Sequence, residues 1–217
     1  MKKSINSKRN KEDLLYIFRI LIEKYGKPKC FLNFINPFQL LVMAVLSAQC
    51  TDKKVNAIAP MIFAKYPNAE AIARANFAEF SELIKPLGLF RAKAKNLIDT
   101  AKILVEKYSG NVPDNMEELT KLPGIGRKTA NVILGHVFGI PAFPVDTHVQ
   151  RIMKRLGYVN KNDSPEKIEK FVNNNLAPEY WSDFSLLLIS HGREVCKRTP
   201  LCKVCEIRKF CLTGSSI

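Results

Sequence analysis

The amino-acid sequence predicts an all-α protein of about ten short helices. Three observations carry that reading. Apolar residues recur at helical spacing along most of the chain, capping residues stand where helices would begin, and the alternating pattern of strands is nearly absent. Over 12–25, Leu14, Leu15, Phe18, Leu21 and Ile22 fall on one face, with Arg19, Glu23 and Lys24 elsewhere. Residues 38–50 are apolar almost throughout, which marks a central, buried helix. Further helices are expected near 52–66, where Pro60 should end or kink the helix, and near 69–84 and 92–108. Asp114-Asn115-Met116-Glu117 reads as a capping box opening a helix at about 115. Next come 127–138 and 147–156, the latter with Val149, Ile152, Met153 and Leu156 on one face. Ser164-Pro165-Glu166 sets a cap before a first-turn proline, and a last helix is expected near 180–192.

With 217 residues, 47% hydrophobic and 25% charged, the chain is long enough for one large domain or two small lobes around a real core. No Gly-, Ser- or Pro-rich linker divides it. The break falls after Gly139-Ile140-Pro141, where a helix ends and the chain restarts. The longest apolar run, Leu40 to Leu46, is far too short to span a membrane. The basic start MKKSINSKRNK leads into Glu12-Asp13 rather than a signal-type apolar stretch, so a cytoplasmic protein is expected. The net charge of +14 is concentrated in 1–11, 121–155 and 193–217, and the rest of the chain is neutral. Such clustering suits a polyanion, because each phosphate contact releases counterions.

Three constellations carry chemistry. The first is LPGIGRKTANVIL, residues 122–134. Gly124 and Gly126 permit a tight turn between two helices, and that turn presents bare N–H groups and a helix N-terminus suited to a phosphate. Glycine turns are common, but Arg127 and Lys128 in the first helical turn oppose the helix dipole at a cost in stability. A site that bears this cost twice running points to function. The same field, with burial added, would lower the pKa of Lys128 and make its amine a nucleophile. The second is PVDTHVQRI, residues 144–152, where Asp146 reads first as an N-cap and is placed to serve chemistry as well. The third is Cys196, Cys202, Cys205 and Cys211, four thiols within 16 residues interleaved with Lys197, Arg198 and Lys203. Without a signal peptide, crowded cysteines favour metal over disulfides. Structural zinc usually takes paired C-x2-C knuckles, and only one such pair is present; a cubane iron–sulfur cluster tolerates the wider arms. Cys30 and Cys50 stand apart and read as small buried hydrophobes.

Taken in order, SAQCTD, GLFRAKAKNLI, LPGIGRKTAN, VDTHVQRI and the four-Cys loop resemble the endonuclease III family over most of the chain. That family comprises bifunctional DNA glycosylase/AP lyases of the helix–hairpin–helix superfamily. The resemblance implies two helical lobes: a six-helix barrel over 30–140, and a cluster lobe built from 1–29 and 141–217 with the four-Cys loop at 196–211. It implies Lys128 as nucleophile, Asp146 as catalytic carboxylate, and a [4Fe-4S] cluster on Cys196, Cys202, Cys205 and Cys211. It makes Gln49 the side chain that fills the gap left by a flipped nucleotide and Leu89 the apolar wedge in the opposite strand. Gly124, Gly126, Arg127, Lys197, Arg198 and Lys203 would contact the DNA backbone. The implied partner is duplex DNA carrying damaged pyrimidines or abasic sites, met by a monomer. One departure is plain: the first cysteine interval, KRTPL, holds five residues where the family usually has six. The rival readings are a monofunctional mismatch glycosylase, whose members typically lack the lysine, and a non-catalytic DNA-binding module with structural zinc.

Overall fold

The computed structural model describes residues 11–214 and shows eleven α-helices and no strand among them. The basic tail over 1–10 lies outside the described residues. Among the described residues no helix is long and apolar enough to cross a membrane. The chain divides into two compact units, one continuous (Cys30–Ile140) and one split (Met1–Lys29 with Pro141–Ile217).

The continuous unit is built on α2 (Pro37–Leu46), whose Leu40, Met43 and Leu46 are fully buried. Asn36 caps it through Gln39 N, and α2 packs against α3 (Asp52–Lys65), α6 (Phe90–Tyr108) and α8 (Arg127–Val137). The helix expected to reach residue 50 stops at Leu46, as Ala48 N turns to the Val45 carbonyl in a tighter turn and Gln49 adopts a left-handed conformation. Pro60 does not end α3. It lies on the exposed face of the helix. The stretch expected as one helix over 69–84 is two, α4 (Ala69–Ala73) and α5 (Phe77–Leu83). The Asn76 side chain accepts from Ala78 N and Glu79 N, starting the second helix where the first would have continued. The cap of α7 (Met116–Lys121) is Asn115, bonded to Glu118 N at 2.9 Å, one residue later than the sequence suggested.

In the split unit, α1 (Lys11–Tyr25) and α9 (Thr147–Leu156) both pack on α11 (Trp181–Glu194), and α10 (Pro165–Asn175) packs on α9. The α9 face of Val149, Ile152, Met153 and Leu156 is buried as its spacing predicts. On α1 the buried stripe is Leu14, Ile17, Phe18 and Leu21, while Leu15 and Ile22 are only half-buried, so the face centres one residue from the expected one. Phe184 joins the layers, its ring 6.0 Å from Phe143 and 6.2 Å from Phe18. Ser164 caps α10 ahead of Pro165, as expected.

Candidate functional site

The turn between α7 and α8 is anchored from below by Leu122 and Ile125, both buried, and by Thr100, whose hydroxyl donates to the Pro123 carbonyl at 3.0 Å. Its two glycines are there for different reasons. Gly124 sits at φ +79°, and a Cβ would lie 2.8 Å from Asn96 Nδ2, so the fold itself requires glycine. Gly126 has φ −90°, open to any residue, and a Cβ there would meet nothing within 4 Å. Gly126 is the N-cap of α8 and brings no side chain, so no side-chain bond caps that helix. Packing does not account for glycine at this position. Glycine is among the residues an N-cap prefers, and without a side chain it leaves the helix N-terminus open to an external anion. Arg127 and Lys128 project from this end, both exposed. The burial expected for Lys128 is therefore absent, because the first turn of α8 faces solvent instead of core.

Two further turns of the continuous unit carry exposed side chains on strained backbone. Gln49 (φ 52°) and Leu89 (φ 49°) are, with Ser109, the non-glycine residues at positive φ among the described residues. Ser109 is the C-cap of α6, a common place for that conformation. Gln49 and Leu89 are not helix C-caps, and each costs roughly 1–2 kcal/mol in a left-handed geometry. Leu89 is also 53% exposed, so burial does not offset that cost.

In the split unit, Asp146 caps α9, its Oδ1 accepting from Val149 N at 2.8 Å. The capping role is real, and Oδ2 accepts no hydrogen bond from the described residues. From the next turn, Arg151 donates to the carbonyls of Gly192 and Cys196 (both 3.0 Å) and bonds His148 Nδ1 at 2.9 Å. The helix that begins at Asp146 is thus tied to the cysteine loop. Burial pushes the His148 imidazole down.

Cys196, Cys202, Cys205 and Cys211 form no disulfide among the described residues, are half-buried, and line one cavity together with Arg155 and Arg208. Arg155 frames the entrance to the loop. It donates to Cys196 Sγ (3.3 Å) and to the carbonyls of Lys197 (2.6 Å) and Arg198 (2.7 Å), pinning the short five-residue interval. Gly214 N donates to Cys211 Sγ at 3.3 Å, and His191 Nε2 lies 3.5 Å from Cys205 Sγ. Burial drives the Cys205 thiol up to about 11 and the His191 imidazole down to about 4. A cation at the site is what would favour the Cys205 thiolate. Among the described residues no three His, Cys, Asp or Glu side chains are placed to hold a single metal ion. Four thiols lining one cavity are a donor set that could hold a metal centre, whether a cluster or a single ion. Lys197, Arg198 and Lys203 are exposed on the same loop. Cys30 and Cys50 are half-buried rather than enclosed, and burial raises the Cys30 thiol pKa. Sequence reasoning missed Arg151, Arg155 and His191, whose contacts to the loop cysteines span 14 to 45 residues.

Residues 42–178 match the family model of the HhH-GPD superfamily base excision DNA repair protein. The chain is 43% identical to Endonuclease III of Synechocystis over 213 residues, which is 97% of this chain and 95% of that one. It is 43% identical to Endonuclease III of Bacillus subtilis over 193 residues, 88% of each chain. The fold superimposes on a trapped Endonuclease III–DNA covalent intermediate with a TM-score of 0.91 at 38% identity, covering 95% of this chain and 98% of that one. The chain therefore belongs to the HhH-GPD superfamily of base excision DNA repair proteins and, within it, to the Endonuclease III family.

Proposed function

We infer that this protein is a bifunctional base excision repair enzyme, a DNA glycosylase that also cleaves the abasic site it creates. The observation that carries the reading is Lys128, an exposed amine in the first turn of a helix whose N-terminus is left open by Gly126. Its substrates are oxidised pyrimidines in duplex DNA, in the cell interior, and it acts as a monomer. The N–H groups around Gly124 and Gly126, with Arg127, hold the DNA backbone, and Lys197, Arg198 and Lys203 add phosphate contacts. Gln49 fills the space of the everted nucleotide, and Leu89 wedges the opposite strand.

The Lys128 amine attacks C1′ of the sugar, the C1′–N bond breaks, and the base departs with a proton. Ring opening leaves a Schiff base between Lys128 and C1′. Loss of a 2′ proton then expels the 3′ phosphate, and water releases the lysine. The Asp146 carboxylate offsets positive charge developing on the sugar and assists the proton transfers, through the oxygen its cap bond leaves over. Cys196, Cys202, Cys205 and Cys211 would hold a [4Fe-4S] cluster, which when bound fixes the basic loop.

The test is borohydride reduction during incubation with duplex DNA containing an abasic site. The wild-type chain forms a covalent adduct stable to denaturation, and Lys128→Ala forms none. Substantial adduct with the variant would assign the chemistry to another amine. No adduct with either protein would leave a DNA-binding module without lyase activity.

A further inference from the structure

Lys93, in the first turn of α6, is 3% exposed. Its ammonium makes one hydrogen bond among the described residues, Nζ to the Leu87 carbonyl at 2.9 Å. Its own backbone N–H donates to the Leu89 carbonyl at 3.0 Å. These two bonds grip the chain on either side of Gly88 and at Leu89, residues held at φ 69° and 49°. Little in the protein's stability calls for a lysine here. A buried ammonium with one partner for three donors is unfavourable, and burial pushes the Lys93 pKa down. A cation in a first helical turn also opposes the helix dipole. An apolar side chain of the same length would fill the space without either cost. What Lys93 does secure is the Leu87 carbonyl, and through it the direction in which the next two residues leave the 3-10 turn Lys85–Leu87.

We propose that Lys93 is the positioning residue of the Leu89 wedge, holding the turn so that Leu89 is presented outward, in its left-handed conformation, before DNA arrives. The proposal rests on the reading of Leu89 as the group that enters the base stack. Without the clasp, Gly88 and Leu89 relax toward ordinary backbone geometry, and the ordering must be supplied when DNA binds. Lys93 touches no reacting atom. Its effect should appear only where a wedge is needed, on a lesion that is still paired.

The experiment uses the full chain with its cofactor, as Lys93→Met, Leu89→Ala and the double variant. Single-turnover cleavage is measured on one lesion placed opposite its normal partner and opposite a mismatch, with melting temperatures alongside. Lys93→Met is expected to slow the paired substrate by about tenfold and the mismatched one by about twofold or less. Its melting temperature should equal or exceed that of wild type. In the double variant the loss should be no greater than for Leu89→Ala alone, because the clasp acts through Leu89. Lys93→Gln, which restores a donor without the charge, should recover part of the rate, and it replaces Lys93→Met in the cycle if that variant does not fold. Losses that multiply in the double variant, or that are equal on paired and mismatched lesions, would overturn the clasp while leaving the wedge intact. A Leu89→Ala variant with undiminished activity on the paired lesion would overturn the wedge reading, and the clasp with it.

Discussion

Asp146 is asked to do two things, and two substitutions separate them. The structure shows the cap directly: Oδ1 accepts from Val149 N at 2.8 Å at the start of a helix whose whole inner face is buried. Asparagine caps as well as aspartate, so Asp146→Asn keeps the bond and loses only the charge–dipole attraction, about 0.3–1 kcal/mol. Asp146→Ala loses both, about 1 kcal/mol for the cap added to that attraction. At about 2–4 °C per kcal/mol for a chain of this size, the alanine variant should melt roughly 3–8 °C below wild type and the asparagine variant at most about 1–4 °C below. Activity should follow the charge instead. Both variants should lose about 10²–10⁴-fold in single-turnover rate, since neither has the carboxylate. Differential scanning calorimetry and single-turnover cleavage on the same preparations give both quantities. If the asparagine variant keeps the wild-type rate, Asp146 is a cap and nothing more. If the rate falls only in the alanine variant, the loss comes from a frayed helix.

The two hairpin glycines should behave oppositely. Gly124→Ala, strained at φ +79° and against Asn96, should destabilise by about 1–2 kcal/mol, read as a lower melting temperature. Gly126→Ala should lose only the N-cap preference for glycine, at most about 1 kcal/mol, since its Cβ meets open space, yet bind duplex DNA several-fold more weakly by titration. Unchanged affinity would show that no phosphate approaches this backbone. Around the cysteine loop, Val195 and Ile207 are buried but Leu201, Val204 and Leu212 are exposed, so metal binding should supply much of its order. Protein made anaerobically with iron should carry about four iron per chain, and Cys205→Ser should lose both iron and solubility. One zinc per chain under those conditions would rule the cluster out.

Local signals were legible in the sequence, and their errors were local too. The α9 face, the Ser164 cap and the apolar α2 all follow from spacing and cap chemistry within a few residues. The division of 69–84 was missed because apolar periodicity runs across Asn76, and only the cap bonds to Ala78 and Glu79 reveal that the helix restarts. Spacing alone could not tell whether Pro60 ends its helix, and α3 runs through it to Lys65. The four cysteines could be read as a group from spacing. The residues that frame them could not: Arg155 reaches Cys196 across 41 positions, and no short pattern encodes that pairing. Lys93 looks in the sequence like any solvated lysine of an amphipathic helix. Its burial is a property of the packed unit.

The candidate residues differ in a way that explains which were conspicuous. Gln49 and Leu89 sit at unfavourable φ with exposed side chains, Arg127 and Lys128 stand against a helix dipole, and Gly126 leaves a helix uncapped. The left-handed backbone at Gln49 and Leu89, and cations in a first helical turn, each carry a cost in stability. A sequence can be searched for such local conflicts, because function is the reason left once stability is excluded. Asp146 is the reverse case. Its cap stabilises the helix that carries it, so a sound structural reason already exists and hides any chemical one. Of the first kind, the cations Arg127 and Lys128 show in the sequence, whereas the backbone strain at Gln49 and Leu89 shows only in the structure. For the second kind, only a substitution that keeps the cap and removes the charge divides the two roles.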